Sequence, residues 1–401
     1  MVYKGIARSF GLNITAAAAG LAGTFFITWF FGLAEFAYYT INFAKLSLIL
    51  LGTELLPSSF TIFRLQEDER FTLSVPVFYV AFAVVAAAIT VILLSQGWLA
   101  HASWFMVVFV ITTSLQRYLD VQAQASGRVD AYFWIPATSN IVRVALLAGL
   151  AALKLMSVPD VLWASVAFAG LTGQVVMLSR FPEFLDLNAY RRPLGKFAYL
   201  WSIRKAYYAY YVNSVLKRVK DTFLPLFCDL VIPSKAEIGR FFVYTRANEA
   251  VCGQLRVLEA FMVNRSIRDD IQRARRRIFF FLAPTSQAMV ALIALGLMYR
   301  HGIGPADVTL SIATGFFIYP YILELFWRND ALASFRPHQV TLSLLAFIFG
   351  LGLPPLIALA LGRLGTPALV GGYVLGQTLS AATYRLFPPR ALVRAEGVAG
   401  E

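Results

Sequence analysis

The chain has 401 residues, of which 59% are hydrophobic and only 14% are charged. A soluble globular protein is usually about 25% charged, so this composition excludes an ordinary soluble domain. Long apolar segments recur along the whole chain, which indicates a polytopic membrane protein. Basic cytoplasmic loops account for the net charge of +13. No nucleic-acid partner is predicted.

Twelve segments are long and apolar enough to span a bilayer, which takes about 20 residues. They lie near residues 11–31, 35–57, 73–95, 102–118, 131–153, 158–179, 207–232, 238–262, 278–299, 305–326, 340–361 and 366–387. The fourth helix is expected to continue beyond the lipid, because its sequence turns polar after Leu115. We therefore predict an all-α fold of about 12 transmembrane helices in two six-helix lobes around a central cavity. The lobes cover residues 1–180 and 207–401, with a cytoplasmic linker over 181–206.

The distribution of basic residues predicts the orientation in the membrane. With the N-terminus inside, the cytoplasmic segments hold 23 Lys and Arg residues and the outer loops hold 4. Cytoplasmic loops carry an excess of these residues in membrane proteins. Both termini are therefore predicted to be cytoplasmic.

The two halves of the chain contain one similar stretch. "LAEFAYYTINFAK" begins at Leu33, and "KAEIGRFFVYTRA" begins 202 residues later at Lys235. Each has Ala-Glu, an apolar residue, a small residue and then aromatic residues. Internal repeats of this kind are common in transporters, whose substrates bind near the midplane between the repeats.

The seventh predicted span carries four charged residues near its middle, Lys217, Arg218, Lys220 and Asp221. A charge at bilayer depth costs at least about 2.5–3.5 kcal/mol. A span over 207–232 would place these residues at mid-depth. A span over about 199–220 would instead leave "TFLPLFCDLVI" against the outer interface. In a helix, Lys217, Lys220 and Asp221 would share one face.

Embedded cations outnumber the acids that could neutralise them, which predicts a wet, positively charged cavity for an anionic ligand such as a phosphate. The candidate substrate-binding residues are Lys45, Arg143, Lys217, Lys220, Arg246 and Arg256. Three acids, Asp221, Glu249 and Glu259, are candidates for coupling to a proton or sodium gradient, or are salt-bridge partners. Arg246 and Glu249 have the spacing of a structural ion pair.

The sequence predicts neither a metal site nor a bound cofactor. Cys228 and Cys252 both lie in apolar segments and are expected to serve as small packing residues. No Walker motif is present, so hydrolysis of ATP by this chain is excluded. The short outer loops argue against an integral-membrane polymerase or glycosyltransferase, and we predict that the chain is not an enzyme.

Two patches resemble the polysaccharide and O-antigen flippases of the multidrug/oligosaccharidyl-lipid/polysaccharide exporter superfamily. In the first patch the matching positions are Gly32, Ala34, Glu35, Phe36, Tyr38, Gly52, Pro57 and Arg64. Ala37 stands where the family usually has glycine. The second patch, "KDTFLPLFCDLVIPSKAEIGRFFVYTRANEAV", resembles spans seven and eight of the family, with Asp221, Glu237, Gly239 and Tyr244 in the familiar places.

The resemblance implies a cavity between the lobes, lined largely by spans one, two, seven and eight. It implies a flippase that moves a polyprenyl-(pyro)phosphate-linked oligosaccharide across the bacterial cytoplasmic membrane for polysaccharide biosynthesis. The implied partners are this lipid-linked oligosaccharide, membrane lipids, and a polysaccharide polymerase or other export components. The alternatives are a cation-coupled multidrug exporter of the same superfamily and an integral-membrane enzyme of polysaccharide biosynthesis.

Overall fold

The computed structural model describes residues 2–56, 69–126, 129–182, 193–262, 265–333 and 337–386, together with positions 61 and 65. In these ranges the chain is helical and contains no β-strand. The α-helices are α1 (Val2–Phe26), α2 (Leu33–Ile49), α3 (Glu69–Ser95), α4 (Phe105–Ala125), α5 (Val129–Leu153), α6 (Val158–Arg180), α7 (Pro193–Ser202), α8 (Arg204–Val231), α9 (Lys235–Met262), α10 (Arg265–Met298), α11 (Pro305–Gly315), α12 (Ile318–Ala333), α13 (Pro337–Ala360) and α14 (Thr366–Leu386). A π-helical turn, Ile27–Phe31, follows α1, and 3-10 turns follow α2 and α10.

Each of the twelve predicted spans coincides with a helix or a helix pair. Seven helical segments of the described chain are long and apolar enough to cross a bilayer by length and composition alone. They belong to α1, α3, α5, α6, α10, the α11–α12 pair and α13. The other spans, α2, α4, α8, α9 and α14, are shorter or more polar. The prediction of an all-α, multi-pass membrane protein is confirmed.

The helices pack as two groups. Helices α1 to α6 contact one another through the pairs α5–α6, α1–α5, α3–α4 and α4–α6. Helices α8 to α14 form the second group, through α13–α14, α9–α10, α10–α11, α12–α14 and α8–α13. The groups, here called the N-lobe and the C-lobe, meet along α1, α2, α8 and α9. The repeated stretches thus lie on two helices, α2 and α9, that pack against each other between the lobes.

The charged seventh span is one continuous helix. Helix α8 extends through Val231 and includes Pro225, so "TFLPLFCDLVI" belongs to the helix rather than to an interfacial segment. This agrees with the span predicted over 207–232. The short helix α7 precedes it and packs on α3, where Leu200 is buried beside Phe71 and Tyr79.

The tenth predicted span differs from the expected single helix. It is divided into α11, which ends at Gly315, and α12, which begins at Ile318. A side chain at Gly315 would lie 2.7 Å from Cγ of Gln287 on α10. Glycine therefore permits the close approach of α10 at the break, a requirement that an apolar sequence pattern does not reveal.

Candidate functional site

A cavity of about 330 Å³ lies between the lobes. The N-lobe contributes residues of α1, α2 and α5, and the C-lobe contributes residues of α9. Small residues of α1, among them Ala16, Ala17 and Gly20, follow one another at helical spacing and leave room along the wall. Three aromatic residues of α2, Phe36, Tyr39 and Phe43, form another part of it.

Arg143 is the cation of the N-lobe wall. Its guanidinium lies 5.2 Å from the centre of the Tyr39 ring, within the range of a cation–π contact. The Nε atom is buried and has no hydrogen-bond partner. Arg143 forms no ion pair with any residue that the structure describes. An unsatisfied guanidinium at a cavity wall has the chemistry to accept an anionic or hydrogen-bonding ligand.

The cation of the C-lobe wall, Arg246, is already compensated. It pairs with Glu249 one turn further along α9, at 2.5 Å between Nη1 and Oε2. Both side chains line the cavity. The described lining thus contains two guanidinium groups and one carboxylate. Its excess of one positive charge is located on Arg143.

Amide side chains complete the lining. Asn13 of α1 donates to the carbonyl of Gly253 at 3.1 Å and lies 3.3 Å from Oε1 of Gln254, both on α9. Gln254 donates in turn to the Asn13 carbonyl at 3.3 Å. Asn140 of α5 donates to the Ala16 carbonyl at 2.8 Å. The hydrogen bonds of Asn13, here called the amide clasp, connect the two lobes.

Only part of the predicted cation cluster lies in this cavity. Arg143 and Arg246 come together there, as the sequence suggested for mid-span cations. Lys45 instead pairs with Asp229 of α8 at 2.9 Å. The acidic partner of Lys45 thus comes from the other lobe, where the helical spacing of residues along α2 gives no indication of it.

Lys217 and Lys220 are also absent from the cavity lining. Lys217 is exposed, and the Lys220 ammonium lies 3.8 Å from the centre of the Phe347 ring on α13. Asn213, on the same face of α8, accepts a hydrogen bond from Thr341 of α13 at 2.5 Å. This face of α8 therefore packs on α13 within the C-lobe. Lys217 and Lys220 therefore do not line the described cavity with Arg143 and Arg246, and span five replaces span seven in the lining.

The remaining predicted site residues are Asp221, Arg256 and Glu259. Asp221 is exposed and does not line the cavity. Arg256 and Glu259 lie on α9, but their side chains are outside the described part of the chain. Of the three candidates for ion coupling, Glu249 is thus the one that the described cavity contains.

Sequence reasoning missed a buried carboxylate, Glu324 of α12. Its side chain is buried in the C-lobe and accepts hydrogen bonds from Gln377 and, at 3.0 Å, from Ser380 on α14. Ser343 of α13 lies 2.6 Å from the Ser380 hydroxyl. Oε1 of Gln377 is buried without a hydrogen-bond partner. A lone acid in the apolar stretch "YILELFW" was the available signal.

The comparisons with known proteins are structural. No protein-family model and no curated protein matches the chain. An inward-facing multidrug resistance MATE family transporter of the MOP superfamily superposes with a TM-score of 0.66 at 11% identity, over 95% of this chain and 96% of that one.

Two further MATE transporters are similar in structure. A mutant of VcmN from Vibrio cholerae has a TM-score of 0.58 at 12% identity, over 96% of this chain and 97% of that one. ClbM in complex with Rb⁺ has a TM-score of 0.50 at 14% identity, over 97% and 96%. These neighbours are all transporters. The chain has the fold of the MATE transporters of the MOP superfamily.

Proposed function

We propose that the chain is a secondary transporter that carries its substrate through the cavity between the lobes. The observation that carries this proposal is the polar cavity at the lobe interface of a MATE-like fold. Secondary transporters bind substrate between their repeats, and they move one repeat against the other to change access. Helices α2 and α9, which hold the internal repeat, both contribute residues to the wall of this cavity.

The fold neighbours favour an ion-coupled exporter of small organic solutes. One of them is a multidrug resistance transporter, and another is in complex with Rb⁺. A cavity of about 330 Å³ lies at the lower end of the range for small-molecule sites, about 300–1,000 Å³. The aromatic residues of α2 and the Glu249 carboxylate provide contacts for an organic cation.

Arg143 supports a second candidate, the flipping of a polyprenyl-(pyro)phosphate-linked oligosaccharide. The cavity has an excess of positive charge at a guanidinium that lacks an acidic partner in the described chain. Guanidinium groups bind phosphate oxygens with charge-assisted hydrogen bonds. The amides and aromatic rings offer further contacts to sugars.

Two carboxylates are candidates for coupling transport to a proton or sodium gradient. Glu249 lines the cavity, and its bond to Arg246 would weaken if a cation or a substrate competed for either partner. Glu324 lies in the C-lobe among hydroxyl and amide groups. Hard oxygen ligands of this kind suit sodium, and a buried carboxylate suits a proton.

Transport by the purified chain in liposomes tests the function and separates the candidates. Under a proton or sodium gradient, an exporter of organic cations would move a fluorescent cationic dye. A flippase would move a short-chain polyprenyl pyrophosphate oligosaccharide between the leaflets. Movement of neither probe under any gradient would contradict the proposed function.

We further propose a location in the bacterial cytoplasmic membrane, and the charge distribution supports an orientation with both termini inside. Epitope tags at residues 1, 190 and 401 should all be protected from protease added outside intact cells. Accessibility of any of these tags would contradict the proposed orientation.

A further inference from the structure

Three contacts join the two lobes at one end of the cavity. At this end α1 and α10 terminate, and α2 and α9 begin. The Asp229 carboxylate of α8 lies between two ammonium groups, 2.9 Å from Lys45 and 2.8 Å from Lys235. Lys45 belongs to the N-lobe, whereas Asp229 and Lys235 belong to the C-lobe. Lys45 also lies 3.4 Å from the Trp98 carbonyl in the α3–α4 loop.

The backbones of α2 and α9 approach each other closely beside this ion pair. A β-carbon placed on Gly239 would lie 2.0 Å from the Leu33 carbonyl oxygen and 2.7 Å from its carbonyl carbon. Real side chains do not tolerate such distances, because both atoms belong to the opposing backbone. Any residue larger than glycine at position 239 must therefore move α2 away from α9.

The π-helical turn after α1 forms a third contact. Its hydrogen bonds follow the wider i to i+5 pattern, as Gly32 N donates to the Ile27 carbonyl at 3.1 Å. The carbonyl of Thr28 lies 2.8 Å from His301 Nε2, and that of Trp29 accepts from Arg300. The Trp29 indole donates to the Leu297 carbonyl at 3.1 Å. The turn thereby joins the end of α1 to the end of α10.

We propose that these three contacts form a releasable seal, and that they separate as a unit when the cavity opens toward this end. The proposal rests on the proposed transport function. Lys45 and Asp229 keep 15% and 26% of their side chains exposed. Water can therefore replace each partner when the lobes separate. Gly239 sets how closely α2 and α9 approach in the closed state.

Distances across the seal test the proposal. Spin labels at Leu155 in the α5–α6 connection and Leu361 after α13 would report this end, because both residues are exposed on different lobes. Labels at Ser179 and Leu386, near the opposite helix ends, would report the other end. The native Cys228 and Cys252 are buried and should remain unlabelled. Pulsed electron paramagnetic resonance spectroscopy would then measure both distances in the full chain.

Gly239→Val should lengthen the Leu155–Leu361 distance by several ångströms and shorten the Ser179–Leu386 distance. Gly149→Val is the matched control, since a β-carbon there meets nothing within 4 Å, and it should leave both distances unchanged. Lys45→Ala should populate the same open state in part. The double variant Lys45→Asp, Asp229→Lys restores one carboxylate among two ammonium groups and should return the closed distance.

The proposal is overturned if Gly239→Val and Lys45→Ala both retain the distances of the unmodified chain. It is also overturned if the charge exchange opens the seal further. These outcomes are independent of transport. If the unmodified chain moves no probe but the variants open the seal as described, the proposed function is contradicted. The proposal of a releasable seal is then still supported.

Discussion

The two ends of the cavity are held together by different chemistry. At the amide clasp, Asn13 bonds neutral groups on Gly253 and Gln254. Neutral hydrogen bonds contribute about 0.5–1.5 kcal/mol each, and water can replace them at little cost. The seal combines ion pairs, the backbone approach at Gly239 and the π-helical turn. Because water replaces the neutral bonds at little cost, we expect the cavity to open more readily at the clasp than at the seal.

The largest effect is expected from removing the ion pairs of the seal, because the clasp contains no such pair. Asp229→Asn keeps the shape of the side chain, removes its charge, and leaves Lys45 and Lys235 close together. Exposed pairs contribute about 0.2–1 kcal/mol, and breaking a buried pair costs about 3–5 kcal/mol. For this partly exposed carboxylate we expect a loss of about 1–3 kcal/mol of stability. Thermal unfolding in detergent should show a lower Tm.

Glu35→Gln is the control for Asp229→Asn. Glu35 pairs with His101 at 3.1 Å, and both residues belong to the N-lobe. Its loss should lower Tm without changing the Leu155–Leu361 distance. If Glu35→Gln opened the seal as far as Asp229→Asn, general destabilisation rather than the loss of a contact between lobes would explain the opening.

The next prediction concerns the cavity between the two ends. Arg143→Gln removes the cation that has no acidic partner in the described lining. A hydrogen bond to a charged group is worth about 1.5–3 kcal/mol, so affinity for a phosphate-bearing substrate should fall roughly ten- to a hundredfold. Titration with a soluble polyprenyl phosphate analogue would measure this change. For a cationic dye, the same variant should bind as well as the unmodified chain or more tightly.

Arg180→Gln is the matched control for Arg143→Gln. Arg180 also lies over an aromatic ring, 4.1 Å from the centre of Trp134, but it is at the end of α6 and outside the cavity lining. Its substitution should leave affinity for either probe unchanged. Equal losses in both variants would show that nonspecific charge, rather than the cavity, attracts the anion.

Sequence patterns predict the features of a single helix, but they do not predict which helices pack against each other. Apolar runs determined the helices, because a bilayer imposes both their length and their composition. Helical spacing predicted that Lys217, Lys220 and Asp221 share one face of α8. It could not show that this face meets Phe347 and Thr341 of α13 rather than the cavity.

Contacts between residues distant in sequence were beyond the reach of the pattern. Arg143 and Arg246 were identified as embedded cations, but the Tyr39 ring beside Arg143 and the Asp229 partner of Lys45 come from other helices. Gly239 was recognised as part of a family resemblance, and its physical role follows from the Leu33 backbone opposite it. One sequence reports what each helix contains, whereas the packing decides what each residue contacts.

The smallest effect is expected at the amide clasp, where a substitution should change how often the clasp opens. Asn13→Ala removes the side-chain bonds to Gly253 and Gln254, for a net change of about 1 kcal/mol that shifts the population of the open clasp about fivefold. With Ala250→Cys as a reporter on the cavity wall, a membrane-impermeant thiol reagent added at the clasp side should react about fivefold faster. Thr15→Ala, on the same helix, removes only a bond to the Gly11 carbonyl of α1 and should not change the rate. If the reagent instead gained access from the seal side in Asn13→Ala, the seal would be the weaker end, and the order of opening argued from the two chemistries would be reversed.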